Sequence, residues 1–376
     1  MTLRVLEFGE NVAAGYAGRL FALGGAEVIR VDNGRGSAFT VEDTAAHRIA
    51  LDAYLHAGKR RIGLDWQAPA GRALLDELAG QVDIVVSDAV PAELDAITWE
   101  RLGAGSPTPP AMRTSITPFG LTGPYRDWQA TGSVLLAMGG YTYLMGDPDR
   151  PPLTMPGHYV EYQSGQYAYL SALAVYRAMA RRSPSHREPR ALDISMYETV
   201  LSLSQFTVVL WTFRGTTRRR HGNRWENAHP ISLYRCRDGW VVFNIVHHFW
   251  ETFAAMLGEP GLADDPRFST NAARMKHQDE LDAIINARVN HLTMREVLDL
   301  GQRDFRVPTG AMLSLEEVLA DPHLQERAYW QPGLATLGAG PISVPGPPWR
   351  YPDEPRPRPL AGAPRPAASS DEGVRK

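Results

Sequence analysis

The N-terminal third of the chain alternates short apolar runs with helical patterns, and no other feature narrows the fold as much. Residues 3–8 (LRVLEF) read as a buried strand, 13–23 as a helix and 27–31 as a second strand ending at Asp32, which makes one βαβ unit. The pattern recurs with strand 62–66 (IGLDW), helix 71–81, strand 83–88 (DIVVSD) and strand 112–117 (MRTSIT). Parallel strands need long crossovers, and helices supply them, so this succession predicts an α/β domain on a parallel sheet. An acid closing the second strand is also a mark of dinucleotide-binding folds. The turn FGENVAAGYAG, however, lacks the G-x-G-x-x-G order that lets backbone approach a pyrophosphate, so NAD is not expected.

Further along, a helix beginning near Glu161 is followed by strand 190–195 (RALDIS), a long helix 196–213 and the basic run from Thr216 to His221, which reads as a boundary. From Ile231 the texture changes. Strands SLYRC and WVVFNIV are joined by the Arg237-Asp238-Gly239 turn, and helices are expected over 249–257, 276–291 and 293–303. The expected layout is a large domain over 1–215, a smaller α+β domain over 225–310, and a Pro-rich, disordered tail over 353–376. With 376 residues, 44% hydrophobic and 22% charged, the chain can bury one large core or two moderate ones.

A formal net charge of −3 offers no field to attract nucleic acid or an anionic membrane, so neither is an expected partner. No apolar stretch approaches the roughly 18 residues of a membrane span, and MTLRVLEFGE does not read as a secretory leader, so the cytoplasm is the expected location. The lone Cys236 excludes an internal disulfide and reads as strand packing.

The candidate for chemistry is Glu161, where the turn Met155-Pro156-Gly157 runs into the apolar helix VEYQSGQYAYLSALAVYRAM. Unpaired N–H groups and the helix dipole favour a carboxylate at that end, and such a group can serve as nucleophile or base. His158 lies close enough in sequence to polarise it or a substrate. Tyrosines gather on either side between Tyr141 and Tyr176, suited either to core packing or to lining a pocket for an acyl group. His247 and His248 are adjacent on an extended run and so point to opposite faces, and no metal site is expected.

Several motifs in order extend this reading: RVLEF, AAGYAGRLFALGGAEVIRVD, KRRIGLDWQAPAGRALLDELAGQVDIVV, PFGLTGPYRDW, DISMYET, HGN, LADDPRFSTNAARMKHQDEL, VPTG, EVLADPHLQERAYW and GPISVPGPPWR. Together the set resembles the class III CoA-transferase family, which includes formyl-CoA:oxalate CoA-transferase, carnitine CoA-transferase and α-methylacyl-CoA racemase. The resemblance implies a Rossmann-like large domain, completed by residues 320–352, plus the small domain, in two chains interlocked like linked rings. It implies a homodimer or a heteromer with a paralogue, an acyl-CoA and a carboxylic acid as substrates, coenzyme A passing between them, and no metal. The family reads A-D-x-x-x-G at its catalytic aspartate, which places Glu161, four residues before Gly165, at that position. The implied chemistry is attack on the thioester to form a glutamyl anhydride, then a glutamyl-CoA thioester. The implied CoA contacts are Ala13, Ala14, Lys59, Arg60, Leu64 and Asp88.

The chain departs from the family at several points. Glutamate replaces aspartate and adds about 1 to 1.5 Å of reach. The racemases carry a His-Asp pair where this chain has Thr131 and Gly132, which argues against racemisation. The family's N-F-x-P-G loop reads Asp88-Ala89-Val90-Pro91-Ala92, and basic nucleotide contacts read Asn33, Gln67, Ala96 and Thr117. The glycine-rich lid after HGN is replaced by Arg224 to Pro230 (RWENAHP). Two further readings follow: a non-catalytic subunit paired with an active paralogue, or an enzyme on this fold acting on a non-CoA acyl substrate.

Overall fold

The computed structural model describes residues 2–33, 45–107, 110–181, 190–336 and 341–350. They fall into two units: one holds residues up to Tyr141, Thr154–Thr216 and the described residues from His323 onward, the other Thr142–Leu153 and Thr217–Pro322. The expected tail over 353–376 lies outside the described residues.

The first unit is built on six parallel strands: β1 (Arg4–Phe8), β2 (Glu27–Asp32), β3 (Arg60–Gly63), β4 (Ile84–Ser87), β5 (Met112–Thr117) and β6 (Arg190–Ser195). Their order is β3-β2-β1-β4-β5-β6, so the winding reverses between β1 and β4. In open α/β sheets, ligands bind at the carboxyl ends of the strands beside that reversal. Both faces are covered, as a parallel sheet requires. Val5, Ile84, Val86 and Met112 pack against α1 (Val12–Leu23) and the 22-residue helix Tyr159–Ala180, whereas Leu6, Phe8, Ile29 and Val85 pack against Trp66, Leu75 and Trp99.

Glycine decides how closely the two helices on the first face approach. A Cβ at Gly165 would strike the carbonyl oxygen of Ala13, so the start of the Tyr159–Ala180 helix rests directly on the backbone of α1. The first turns of both helices are thereby brought to one corner of the sheet.

Several elements differ from the sequence reading. The third strand begins at Arg60 rather than 62, because Arg61 finds Asp32 and Asp52 at 2.7 and 2.8 Å and its charge does not exclude it from the sheet. Helix α2 (Ala45–His56) was not anticipated, since AAHRIALDAYLH mixes polar and apolar residues without a clean stripe. The expected helix 196–213 is two, Met196–Leu203 and Gln205–Arg214, meeting at Ser204. The returning segment forms its own hairpin, β10 (Trp330–Thr336) with β11 (Pro341–Pro345); Arg19 Nη2 donates to the Pro345 carbonyl at 3.1 Å.

The second unit carries an antiparallel sheet of β7 (Ile231–Arg235), β8 (Trp240–Asn244) and β9 (Thr309–Ala311). β9 comes from the VPTG motif and was missed, because three residues are too few to show alternation. Tyr234, Val241 and Phe243 alternate inward onto Trp250, Phe253, Leu281 and Ile285. Cys236 is buried at the end of β7, in keeping with a packing role. The expected helix 293–303 is α-helical over Met294–Leu298 and then a π-helical turn over Asp299–Asp304. Among the described residues, no helix is long and apolar enough to cross a membrane.

Candidate active site

At the reversal between β1 and β4, two residues meet. Gly9 leaves β1 at φ +122°, a conformation L side chains rarely adopt, and the Asp88 carboxylate occupies the space a side chain would need. Asp88 accepts from the Ala14 N–H at 2.8 Å and the Asn11 N–H at 3.3 Å, while the Asn11 amide donates to the Asp88 carbonyl at 3.1 Å. It therefore caps the N-terminus of α1 from the neighbouring crossover. That end of the first helix is where a dinucleotide fold holds its pyrophosphate, so the carboxylate gives a physical reason for the missing glycine fingerprint.

Burial raises the Asp88 carboxyl to about 6, against the lowering effects of the Ala14 N–H and of Arg30. The sign follows from linkage. A carboxyl with a raised folded value holds its proton in the native state between about pH 4 and 6, so its contribution to stability falls as pH rises through that window. Asp88→Asn removes the titration, and the stability of D88N relative to the parent is expected to rise by up to about 3 kcal/mol between pH 4 and 7. Urea midpoints across that range measure it. A difference independent of pH would show that Asp88 does not titrate there.

Beneath this turn lies a buried ionic cluster. Glu7, fully buried on β1, faces Arg30 Nη1 at 3.2 Å and Lys59 Nζ at 2.5 Å. Arg30 also bonds the Gly9 carbonyl and Asp32. Lys59 is buried, its ammonium set against Glu7, the Gly15 carbonyl at 2.8 Å and His56 Nδ1 at 3.2 Å. Desolvation lowers its basicity to about 8 despite the adjacent Glu7, and burial together with Lys59 holds His56 well below its ordinary value, so the imidazole is neutral. The cluster fixes the β1–α1 turn from below.

The residues named from the sequence divide accordingly. Ala13, Ala14, Lys59 and Asp88 are interior, and all four shape the first turn of α1. Arg60 is exposed and paired with Glu27 at 2.8 Å. Leu64 is half-buried at the end of β3, its N–H on the Asp32 carbonyl at 2.7 Å. The Arg224 to Pro230 segment in the second unit is pinned: Arg224 bonds Asp279 and Asp282 at 2.6 and 2.5 Å, and the His229 N–H donates to Asn271.

Glu161 occupies the first turn of the Tyr159–Ala180 helix, between buried Val160 and Tyr162, whose ring meets Tyr16 of α1 edge-on at 4.8 Å. His158 is the N-cap residue and lies edge-on to Tyr162 at 6.5 Å. Among the described residues, one Glu161 oxygen, Oε2, is buried and has no hydrogen-bond partner. The carboxylate lies over Gly132, the buried first residue of the helix Gly132–Met138. In the sequence Gly132 is marked only by the racemase acid it lacks. Sequence reasoning missed Glu7 and Arg30, although an acid within LRVLEF and a base within EVIRVD, facing each other in register, were a usable signal. An ionised carboxylate can act as a nucleophile toward a carbonyl carbon brought to it.

The model of CoA-transferase family III matches residues 2–369. Succinyl-CoA--D-citramalate CoA-transferase of Chloroflexus aurantiacus is 34% identical over 333 residues, covering 86% of this chain and 81% of that one. Succinate--glutarate CoA-transferase of Agrobacterium fabrum is 29% identical over 338 residues, covering 86% and 82%. Among solved structures, a CAIB/BAIF family protein from Brucella suis superposes with a TM-score of 0.81 at 23% identity, covering 96% of this chain and 95% of that one.

Proposed function

The chain belongs to CoA-transferase family III, and on that premise we propose that it moves CoA from an acyl-CoA to a carboxylic acid with Glu161 as the covalent nucleophile. The observation that carries this reading is the buried, unbonded Oε2 of Glu161 at the corner where the two helices meet.

The proposed sequence has four balanced steps. A Glu161 oxygen attacks the thioester carbonyl, the C–S bond breaks, and CoA leaves as thiolate from a glutamyl–acyl anhydride. The thiolate attacks the glutamyl carbonyl, releasing the first acid as carboxylate and leaving a glutamyl-CoA thioester. The acceptor carboxylate attacks that thioester and expels the thiolate again, forming a second anhydride. The thiolate then attacks the acceptor's carbonyl, and Glu161 is regenerated. No proton need be transferred at any step, consistent with a site that has a nucleophile and no acid–base pair at 131 and 132. The anhydrides survive only if water is kept away, and packing around Oε2 favours that.

The two relatives above are named for reactions of succinyl-CoA or succinate with citramalate or glutarate. We extend their shared chemistry, a short dicarboxylic acid on each side, to this chain. Of the residues named for CoA, Arg60 and Leu64 have exposed surface and are proposed as contacts, with Ala13, Ala14, Lys59 and Asp88 shaping the crevice from beneath. The reading includes a cytoplasmic, interlocked homodimer. Association with a partner is supported by the helix Gln205–Arg214, which exposes Val208, Val209, Trp211 and Phe213, the last at 85%.

The test is chemical trapping. Protein incubated with succinyl-CoA and hydroxylamine is expected to carry a hydroxamate on the peptide containing Glu161, read by mass spectrometry. A modified carboxylate elsewhere, with Glu161 intact under turnover, would overturn the assignment.

A further inference from the structure

We infer that Gly132 is a positioning residue for Glu161: having no side chain, it leaves the volume that this carboxylate's extra methylene carries it into, and the two residues act as a matched pair. The inference rests on the assignment of Glu161 as nucleophile.

The geometry is specific. A Cβ built on Gly132 would lie 3.0 Å from Oε1, 3.0 Å from Oε2 and 3.4 Å from the carboxyl carbon. Both oxygens are equally close, so the carboxylate presents its whole edge to the Gly132 α-carbon. A half-turn about the terminal bond would only exchange the two oxygens, so relief requires the side chain to give by a few tenths of an ångström. Backbone conformation does not explain the glycine, since Gly132 is absent from the positive-φ residues.

Among the described residues Oε2 has no hydrogen-bond partner, so packing contributes to its place. The floor of that packing is Gly132. Both partners are anchored: Leu135 and Leu136 following Gly132, and Val160 preceding Glu161, belong to one buried cluster. Shortening the acid should open a gap of one methylene over Gly132, and adding a methyl at 132 should fill it.

A double-mutant cycle tests the pair. G132A alone obliges the carboxylate to give by a few tenths of an ångström and is expected to lower kcat by about tenfold, with KM changed less than threefold. E161D alone, which withdraws the carboxylate by a whole methylene, is expected to lose about a hundredfold. In E161D/G132A the added methyl occupies vacated space, so the double variant should fall within about threefold of E161D rather than at the product of the two losses. G132A activity equal to the parent, or losses that multiply, would overturn the pairing even if E161Q is inactive. Retained activity in E161Q would instead remove the nucleophile assignment, and the pairing with it. Thermal midpoints accompany each assay: if G132A unfolds and E161D/G132A does not, the steric match stands, and if both unfold alike, it fails.

Discussion

Glu161→Gln is expected to abolish CoA transfer, with turnover reduced by more than about a thousandfold, the scale seen when a covalent nucleophile is removed. Glutamine keeps the length and shape of the side chain and would sit over Gly132 in the same way, so a loss cannot be assigned to packing. The amide is a poor nucleophile toward a thioester, and no anhydride can form. Glu161→Asp keeps the functional group but withdraws it, and a loss of about a hundredfold is expected. Steady-state transfer between succinyl-CoA and a panel of dicarboxylic acids, with CoA affinity by calorimetry as the control, separates chemistry from binding. An E161Q enzyme within tenfold of the parent would end the proposed mechanism.

The second large effect is on stability. Glu7→Gln leaves Arg30 and Lys59 buried without the carboxylate that lies between them, and breaking a buried pair in this way costs about 3 to 5 kcal/mol. Part of that cost is expected to be relieved by loss of the Lys59 proton, since its basicity is already down at about 8. Glu7→Gln with Lys59→Met should therefore recover much of the loss, because a neutral pair carries no unpaired charge and Arg30 retains Asp32 at 3.1 Å. The measurement is the thermal midpoint together with hydrogen exchange of peptides spanning β1 and β2. A single variant within about 1 kcal/mol of the parent would show that the cluster is not a unit.

Much of the first unit was legible in the chain. The β1–α1–β2 unit, β4, β5, β6 and the helix bearing Glu161 are all marked by apolar runs of a length and period that local physics dictates. Less was legible where a polar surface hid the pattern, as in α2, or where a strand was too short to alternate, as in β9. The grouping of Thr142–Leu153 with the second unit had no local mark, because it depends on contacts with residues far along the chain. Within the site, Glu161 was found from its place at a helix start. Gly132 was not, since a glycine at a helix start has no signature until something is seen packed on it.

The sequence by itself determined a parallel α/β sheet, a second unit of different texture, family membership through motifs in order, and one carboxylate worth singling out. The sheet, the change of texture and the carboxylate rest on spacing within a few dozen residues, whereas the family resemblance rests on motifs spread along the whole chain. Only the tertiary structure decided that Asp88 caps α1 at the sheet's reversal, that Glu7 gathers Arg30 and Lys59 beneath it, and that Glu161 rests on Gly132. Those pairs lie between 23 and 77 residues apart, counted for Arg30 to Glu7 and for Asp88 to Asn11. Hydrophobic period sets which face of an element is buried, but which side chains meet depends on strand order, register and the distance at which two backbones can pack.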